Sequence, residues 1–208
     1  MKKLLLCLLP LLVVGCKEPN FDAAWTKEQA PDRFSVEFET TKGNFTIEVT
    51  RDLSPKAVDR FYQLVQHDYF DNGIFYRVVP DFVAQFGNTN SGVMEQWRTV
   101  KIPDEPVKLK NQKGAVSFAR FGPDTRDLEL FINLKNNLVL DTVNFEGVRG
   151  FPAIGQVREG MDVVEKLYGG YGEQTMSDEN LYTDRAAFYQ KYPKLDLIKS
   201  AHVIEAKR

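Results

Sequence analysis

One segment, residues 74–87, restricts the fold of this chain more than any other. It reads Ile-Phe-Tyr-Arg-Val-Val-Pro-Asp-Phe-Val-Ala-Gln-Phe-Gly, a run of aromatic and β-branched residues that is typical of buried strands. Because successive side chains of a strand point to opposite faces, Arg77 has apolar neighbours on both faces. A permanent cation is costly there unless it is paired or has a function. Arg77 is therefore either a structural cation, paired with a carboxylate or a carbonyl, or a functional one.

The N-terminus has the features of a secretion signal. Lys2 and Lys3 precede an apolar run at 4–14 that is too short to span a bilayer as a helix. The run ends in Val-Val-Gly-Cys, and this junction resembles the lipobox of bacterial lipoproteins, whose signal is removed before a cysteine that carries lipid. We therefore expect residues 1–15 to be a signal peptide and Cys16 to be lipidated. The alternative is an ordinary signal peptide with an incidental cysteine.

The same features predict where the protein works. A lipidated cysteine would anchor it on the periplasmic side of a membrane in a bacterial cell envelope. Lys17 is not the aspartate that resembles an inner-membrane retention signal, so we favour the outer membrane. Cys7 would leave with the signal, so the mature chain would have one cysteine and no disulfide framework.

The rest of the chain is long enough for one domain. Residues 16–33 are polar, contain Pro31 and predict a flexible tether, whereas residues 34–208 form the predicted globular domain. The formal net charge of the chain is -2 and no block of basic residues occurs, which argues against a nucleic-acid surface. His67 and His202 lack the spacing of metal ligands, so we expect no metal site.

The domain is predicted to be mainly β. Ser54 as N-cap and Pro55 at the first helical position predict an amphipathic helix at 55–68, and a second helix is predicted at 159–167. The polar segment 88–112 is predicted to be an irregular loop. The predicted strands are 34–40, 44–50, 74–87, 114–119, 128–134, 153–157 and 195–205. Two helices among many short strands favour a closed or nearly closed antiparallel barrel.

Five motifs then occur in an order and spacing that resemble the cyclophilins. They are Ser-Pro-Lys-Ala-Val at 54–58, Phe-x-Arg-x-x-x-x-Phe-x-x-Gln at 75–85, Gly-Ala-Val-Ser-Phe-Ala at 114–119, Leu-Phe-Ile-Asn at 130–133 and Gly-Gln-Val-Arg-Glu-Gly-Met-Asp-Val-Val at 155–164. The similarity extends over about residues 34–205. It implies a closed eight-stranded antiparallel β-barrel capped by two α-helices, and peptidyl-prolyl cis–trans isomerase activity that needs no cofactor or metal.

The resemblance also assigns residues to the site. It implies that Arg77 is the catalytic arginine and that Gln85 is its partner. The implied substrate-binding residues are Phe82 and Phe131 on the floor of the proline pocket, Val83 and Leu140 in its wall, Ala119, Arg120 and Phe121 in the groove for the residues before proline, and Phe151 where many members have a histidine or tyrosine.

Three positions depart from the family pattern. Where most members have Ser-Gln-Phe-Phe-Ile, this chain has Leu-Glu-Leu-Phe-Ile, which puts the carboxylate of Glu129 near the site. Phe86 replaces a usual glycine, and Val139 stands where a large aromatic residue is common. On a strand, Glu129 and Phe131 share a face, so we expect Glu129 to point into the pocket beside Arg77. Direct pairing would either compete with the substrate and give a slow enzyme, which we favour, or hold the guanidinium of Arg77 in the productive direction.

These patterns favour an isomerase that acts on proline-containing unfolded or flexible polypeptides in the envelope. We expect a monomer that binds no nucleic acid and meets the membrane through its lipid anchor. Two alternatives remain open. The first is a non-catalytic peptide-binding or chaperone module on the same fold, and the second is a β-barrel carrier of small ligands, which would leave the Arg77–Gln85 pattern unexplained.

Overall fold

The computed structural model describes residues 21–207. The predicted signal peptide and Cys16 therefore lie outside the described residues. The strands are β1 (Arg33–Thr40), β2 (Gly43–Thr50), β3 (Ile74–Val79), β4 (Val83–Gly87), β5 (Ala115–Phe118), β6 (Leu130–Asn133), β7 (Asn144–Phe145), β8 (Val148–Arg149), β9 (Ala153–Glu159) and β10 (Ile198–Lys207). The helices are α1 (Pro55–Gln66), α2 (Ser91–Arg98), α3 (Met161–Glu165) and α4 (Arg185–Lys191).

Eight strands form one curled antiparallel sheet in the order β10-β1-β2-β9-β5-β6-β4-β3, and β7 and β8 form a separate hairpin. The prediction of a mainly β protein with eight main strands is confirmed. The edge strand β3 meets the residue just before the other edge strand, β10, through a single bridge between Ile74 and Leu197. Beyond it β10 pairs with β1 over its whole length. The sheet is thus a half-barrel, and the expected closed barrel is wrong.

Alternation along the strands explains the core. The burial pattern of β1 changes at every residue, as expected for a strand with one face buried. Phe38 and Phe45, paired across β1 and β2, stack with ring centres 5.1 Å apart, and Phe86 of β4 meets Phe38 at 5.6 Å. Phe61 of α1 joins the same cluster. Phe86, a departure from the family pattern, is therefore a core residue.

The predicted helix at 55–68 is present and ends two residues earlier, but its cap differs from the prediction. Ser54 makes no capping bond with its side chain. Instead the carboxylate of Glu105 accepts hydrogen bonds from the backbone N–H groups of Lys56 and Ala57, at 2.9 and 3.1 Å, and from the Ser54 hydroxyl. A residue distant in sequence thus satisfies the free N–H groups of the first turn.

The structure has two helices more than predicted among the described residues. One is α2, which lies within the segment predicted to be an irregular loop. Asn90 caps it by accepting hydrogen bonds from the N–H groups of Gly92 and Val93, and the helix buries Met94 and Trp97. Two buried side chains in eight residues give too weak a periodicity to be recognised in a sequence. The other is α4, which buries Phe188.

The N-terminal segment packs on the domain from Phe21 onward. Trp25 stacks on His67 with ring centres 4.0 Å apart, and Phe21 meets Trp97 at 5.2 Å. The N–H of Ala30 donates to Asp59 in α1 at 2.9 Å. The part of the predicted tether that is described is thus docked through aromatic contacts, and a flexible tether stays a prediction for residues that lie outside the description.

No helix between residues 21 and 207 is long and apolar enough to cross a membrane.

Candidate active site

The strand register brings the predicted catalytic pair together. Arg77 of β3 lies directly opposite Gln85 of β4, and Gln85 lies opposite Phe131 of β6. Phe131 in turn lies opposite Ser117 of β5. Directly opposite residues of antiparallel strands share one face of the sheet. The alternate residues, such as Ile132, lie in the core, so this row occupies the face opposite the core.

A cavity of about 380 Å³ opens on this face beside Arg77. Ten residues assigned by resemblance line it: Arg77, Phe82, Val83, Gln85, Ala119, Arg120, Phe121, Phe131, Leu140 and Phe151. Its volume is in the range of small-ligand sites. The structure therefore brings these residues together, and their individual roles stay predictions.

Three further residues line the cavity and were not predicted. Val143 and Phe145 come from the chain between Leu140 and Phe151, and they could have been inferred from that neighbourhood. Met176 comes from a segment 25 positions further along the chain, and nothing in its local sequence pattern indicated it. Phe145 is half exposed and its ring centre lies 6.1 Å from that of Phe151.

Arg77 is held by two partners. Its Nη1 donates to Oε1 of Gln85 at 2.9 Å, as the register requires. Its Nε and Nη2 donate to the two carboxylate oxygens of Glu173, each at 2.7 Å. The guanidinium carbon lies 5.6 Å from the ring centre of Phe82. Sequence analysis missed Glu173 because 96 positions separate it from Arg77.

The hydrogen bond from Arg77 lowers the pKa of the Glu173 carboxyl, although partial burial opposes that shift. Glu173 therefore carries its charge more firmly than an ordinary glutamate. The ion pair is bidentate, the geometry that gives arginine–carboxylate contacts both strength and orientation.

Glu129 does not lie beside Arg77, so that expectation is corrected. It is 2% exposed, does not line the cavity, and accepts a hydrogen bond from the Tyr182 hydroxyl at 2.6 Å. It does share a sheet face with Phe131, but it lies two residues, about 7 Å, further along the strand. Its Cγ lies near Gly87, where there is no side chain to exclude it.

Glu129 nevertheless connects with the site indirectly. Gln85 donates through Nε2 to the Tyr76 hydroxyl at 2.9 Å, and the Tyr76 ring contacts that of Tyr182, the hydrogen-bond donor to Glu129, with ring centres 6.4 Å apart. Burial raises the pKa of the Glu129 carboxyl. Burial also raises the pKa of the Tyr76 hydroxyl well above its usual value. A row of polar side chains therefore runs from Arg77 through Gln85, Tyr76 and Tyr182 to Glu129, joined by hydrogen bonds except for the ring contact between the two tyrosines.

Arg120 lines the cavity with a hydrogen bond from each of its terminal nitrogens. Its Nη1 donates to the carbonyl of Gly150, and its Nη2 donates to the carbonyl of Val148 at 2.7 Å. The guanidinium carbon lies 4.0 Å from the ring centre of Phe151. Burial lowers the pKa of Arg120. In this arrangement the side chain fixes the wall formed by Phe151 more directly than it offers donors to a ligand.

Buried asparagines hold the floor and the wall in place. Asn137 donates to the carbonyl of Phe82 at 2.8 Å, and Asn111 donates to the carbonyl of Phe151 at the same distance. Asn133 joins the two through hydrogen bonds of 3.1 Å to Asn111 and 2.9 Å with Asn137. The network was not predicted because Asn111 and Asn137 lie between strands, where asparagines usually indicate turns.

The two histidines lie away from the cavity. His67 is bonded to Glu28 at 3.0 Å, whereas the ring of His202 shares a part-exposed cluster with Glu37 and Glu39. The potential ligand atoms of that cluster lie within 4.8 Å of one another. The pairing of β1 with β10 brings them together, which spacing along the sequence did not indicate. Part-exposed carboxylates of this kind are common without a metal ion.

The class of protein is thus a mainly β one, a curled eight-stranded sheet with an arginine–glutamine pair at an apolar cavity on its outer face, and comparison with known proteins identifies the family. The model of the cyclophilin type peptidyl-prolyl cis-trans isomerase family matches residues 35–185. The chain belongs to this family.

Two bacterial relatives are similar over most of their length. The chain is 30% identical over 174 residues to peptidyl-prolyl cis-trans isomerase B of Escherichia coli (strain K12), covering 78% of this chain and 94% of that protein. It is 26% identical over 209 residues to peptidyl-prolyl cis-trans isomerase A of Dickeya dadantii (strain 3937), covering 98% of each.

The crystal structure of a Cryptosporidium parvum cyclophilin type peptidyl-prolyl cis-trans isomerase has a similar fold, with a TM-score of 0.58. Its sequence identity of 19% supports the fold alone, over 83% of this chain and 98% of that one.

Proposed function

We propose that this protein is a peptidyl-prolyl cis–trans isomerase that acts on proline-containing unfolded or flexible polypeptides. The observation that carries the proposal is the position of Arg77. Its guanidinium lies at the edge of an apolar cavity whose lining includes Phe82 and Phe131, on a chain that belongs to the cyclophilin family. Two relatives named peptidyl-prolyl cis-trans isomerases match this chain over 94% and 98% of their own length.

The reaction explains why one arginine donor is useful. The X–Pro bond is a tertiary amide whose two isomers are close in energy, so both are populated in unfolded chains. Rotation about it is slow because it destroys amide resonance, at a cost of about 18–20 kcal/mol. At the twisted transition state the proline nitrogen regains its lone pair. A donor aimed at that nitrogen binds the twisted state better than the planar one, which is the requirement for catalysis.

The apolar cavity supplies the second contribution. Phe82 and Phe131 offer aromatic surface that suits a pyrrolidine ring, and the amide enters a setting with few competing polar groups. The planar amide is more polar than the twisted one, so it loses more free energy when water is removed. A well-placed donor contributes about 3–4 kcal/mol, and exclusion of water strengthens its effect. The chain needs no nucleophile for this chemistry.

The two alternatives, a carrier of small ligands and a non-catalytic peptide-binding module, require cavities in different places. A carrier of small ligands would need a cavity inside the sheet, but aromatic core side chains such as Phe38, Phe45 and Phe86 occupy that side of the described strands. A non-catalytic peptide-binding module would keep the outer cavity and lack rate enhancement. The pairing of Arg77 with Glu173 is the observation in its favour, because it engages part of the donor. The relatives named as isomerases favour catalysis.

A proline-isomerisation assay on residues 17–208 tests the function. We expect the rate of cis–trans exchange in an Ala-Pro peptide to rise in proportion to protein concentration. Peptide binding with the exchange rate at background would support the binding module instead. Absence of both binding and rate enhancement would contradict the proposal and its first alternative.

We also propose that the protein is a lipid-anchored monomer of the bacterial cell envelope, where it accelerates the folding of secreted proteins. The Val-Val-Gly-Cys junction at Cys16 supports the anchor. One lipid chain gives marginal membrane binding, so stable anchoring requires the several chains of a lipoprotein-type cysteine. Cys16→Ser should block processing at this site and leave the chain without lipid. Intact-mass spectrometry of the mature wild-type protein decides the matter, since an unmodified Cys16 would contradict the anchor.

A further inference from the structure

The most specific contact that the family resemblance did not assign is that between Glu173 and Arg77. An arginine side chain has five N–H groups, one on Nε and two on each terminal nitrogen. Glu173 takes the Nε–H and one Nη2–H, whereas Gln85 takes one Nη1–H. One N–H on each terminal nitrogen is therefore left over. The bidentate contact with Glu173 occupies the side edge of the guanidinium and fixes the plane in which these two remaining donors lie.

Glu173 follows Tyr168 and Tyr171, which form a platform of three tyrosines with Tyr192. Tyr168 and Tyr171 are in contact with ring centres 5.0 Å apart, and Tyr171 contacts Tyr192 at the same distance. The N–H of Tyr168 donates to the carboxylate of Asp196 at 2.7 Å. These contacts hold residues 168–171, which lie just before Glu173 in the chain. The side chain therefore meets Arg77 from a defined backbone position.

The segment that carries Glu173 reaches the cavity and the buried polar groups. Glu173 precedes a 3-10 helix, Gln174–Ser177, whose Met176 lines the cavity. Further along, Tyr182 donates to Glu129, and its ring contacts that of Tyr76, which accepts a hydrogen bond from Gln85. The segment thus supports the Arg77–Gln85 pair from both sides.

We propose that Glu173 is a positioning residue for the isomerisation: its carboxylate clamps the side edge of Arg77, so that the remaining terminal N–H groups face the cavity. This inference rests on the proposed function. It differs from a simple surface ion pair, because such pairs contribute little and leave both side chains free to turn. The Arg77 side chain is only 19% exposed, although that of Glu173 is 62% exposed.

The opposite effect is competition. If Glu173 held Arg77 away from the substrate, its removal would free the donor and the turnover rate would increase. Positioning and competition therefore predict opposite signs for one substitution. Misplacement of a catalytic group by about 1 Å can lower a rate by up to a hundredfold, so loss of the clamp should be easy to measure.

The test compares Glu173→Gln with Glu179→Gln in the chain 17–208. Glu179 is an exposed glutamate of the same segment that does not line the cavity, so its substitution removes the same charge elsewhere. For Glu173→Gln we expect kcat to fall about tenfold with KM within about twofold of wild type. Glu173→Asp keeps the charge and should recover part of kcat. Glu179→Gln should match wild type.

The pH profile separates positioning from a purely structural role. Protonation of Glu173 breaks the clamp, so the wild-type kcat should decrease as the pH falls through the lowered pKa of this carboxyl. The decrease should be absent in Glu173→Gln and present in Glu179→Gln. Thermal unfolding of each variant verifies that it is folded.

Each other outcome overturns the inference. An increase in kcat for Glu173→Gln means competition, a rise in KM alone means a substrate contact, and unchanged kinetics with an unchanged pH profile mean a surface pair without a role. If the wild-type protein itself does not accelerate isomerisation, the proposed function fails instead. The two failures are therefore distinguishable.

Discussion

Two carboxylates flank the Arg77–Gln85 pair, and they differ in nearly every physical respect. Glu173 is exposed and touches Arg77 directly, at 2.7 Å through two hydrogen bonds. Glu129 is buried and connects with the pair only indirectly, through Tyr182 and Tyr76. The pKa of Glu173 is lowered by its cation, whereas burial raises the pKa of Glu129. The exposed carboxylate of Glu173 thus orients Arg77, whereas the buried carboxylate of Glu129 is stabilised by its hydrogen bond from Tyr182.

The difference shows which side of the arginine is open to adjustment. On the buried side, each group has a fixed partner, so a change at one position disturbs the next. On the exposed side, water can replace a lost partner, and the cost falls on orientation more than on stability. We therefore expect substitutions near Glu129 to act mainly on stability and substitutions at Glu173 to act mainly on kcat. The following predictions test this contrast.

The largest effect on kcat/KM is expected at Arg77, which lies between the two carboxylates. Arg77→Ala should lower kcat/KM about 100- to 1,000-fold, because it removes the transition-state donor. The fold should persist, since the carboxylate of Glu173 remains exposed to water. Isomerisation kinetics with circular dichroism provide the measurement. Arg158→Ala, an exposed arginine that pairs with Glu48, is the matched control and should retain wild-type activity.

If Arg77→Ala is folded and keeps most of its activity, Arg77 is structural. The contrast between the two carboxylates would then concern stability alone.

The next largest effect is expected at Gln85, which links Arg77 to the buried hydroxyl of Tyr76. Gln85→Ala removes the acceptor for Nη1 of Arg77 and the donor to the Tyr76 hydroxyl. Loss of hydrogen bonds to a charged group and to a buried hydroxyl should cost about 1–3 kcal/mol each. We expect kcat/KM to fall about tenfold and the midpoint of urea unfolding to fall as well.

A Gln85→Ala variant with lower stability but unchanged kinetics would show that Glu173 alone orients Arg77. A variant with lower activity and unchanged stability would show that the buried side contributes no stability, contrary to the contrast.

The sequence predicted the cavity far better than it predicted the clamp. Arg77, Gln85 and Phe131 lie on three strands that pair directly, and their motif places them through alternation and register. Glu173 and Met176 belong to a segment placed by aromatic packing over long sequence distances, which no local periodicity reveals. For the same reason, Ser54 looked like a cap although Glu105 fills that role.

Glu129 was misplaced for a different reason. Strand alternation correctly predicted the sheet face on which Glu129 lies. It did not predict how far Glu129 lies from Arg77, or that Tyr182 is its hydrogen-bond partner. The barrel was expected to close because eight strands resemble a closed family fold. The only bridge between the two edges of the described sheet joins Ile74 of β3 to Leu197, the residue before β10, and local sequence does not reveal how far such edge pairing extends.

The smallest kinetic effect and the clearest pH effect are expected at Glu129. Because Glu129 does not touch Arg77 directly, Glu129→Gln should change kcat/KM by less than about threefold, a change of under about 1 kcal/mol. Glutamine keeps an oxygen that can accept from Tyr182, and it removes the cost of burying a charge.

The pH dependence of stability gives the decisive measurement. The folded state raises the pKa of Glu129 above its ordinary value of 4.5, so the ionised form is disfavoured in the fold. The unfolded chain releases this proton at lower pH than the folded chain does. The contribution of Glu129 to stability is therefore greatest below the ordinary carboxyl pKa and decreases as the pH rises through the raised one. The unfolding free energy of Glu129→Gln relative to wild type should consequently increase with pH in that range. A relative stability that is constant with pH would show that the fold does not raise the pKa of Glu129. A kinetic change above tenfold would show that Glu129 acts on Arg77 as strongly as Glu173 does.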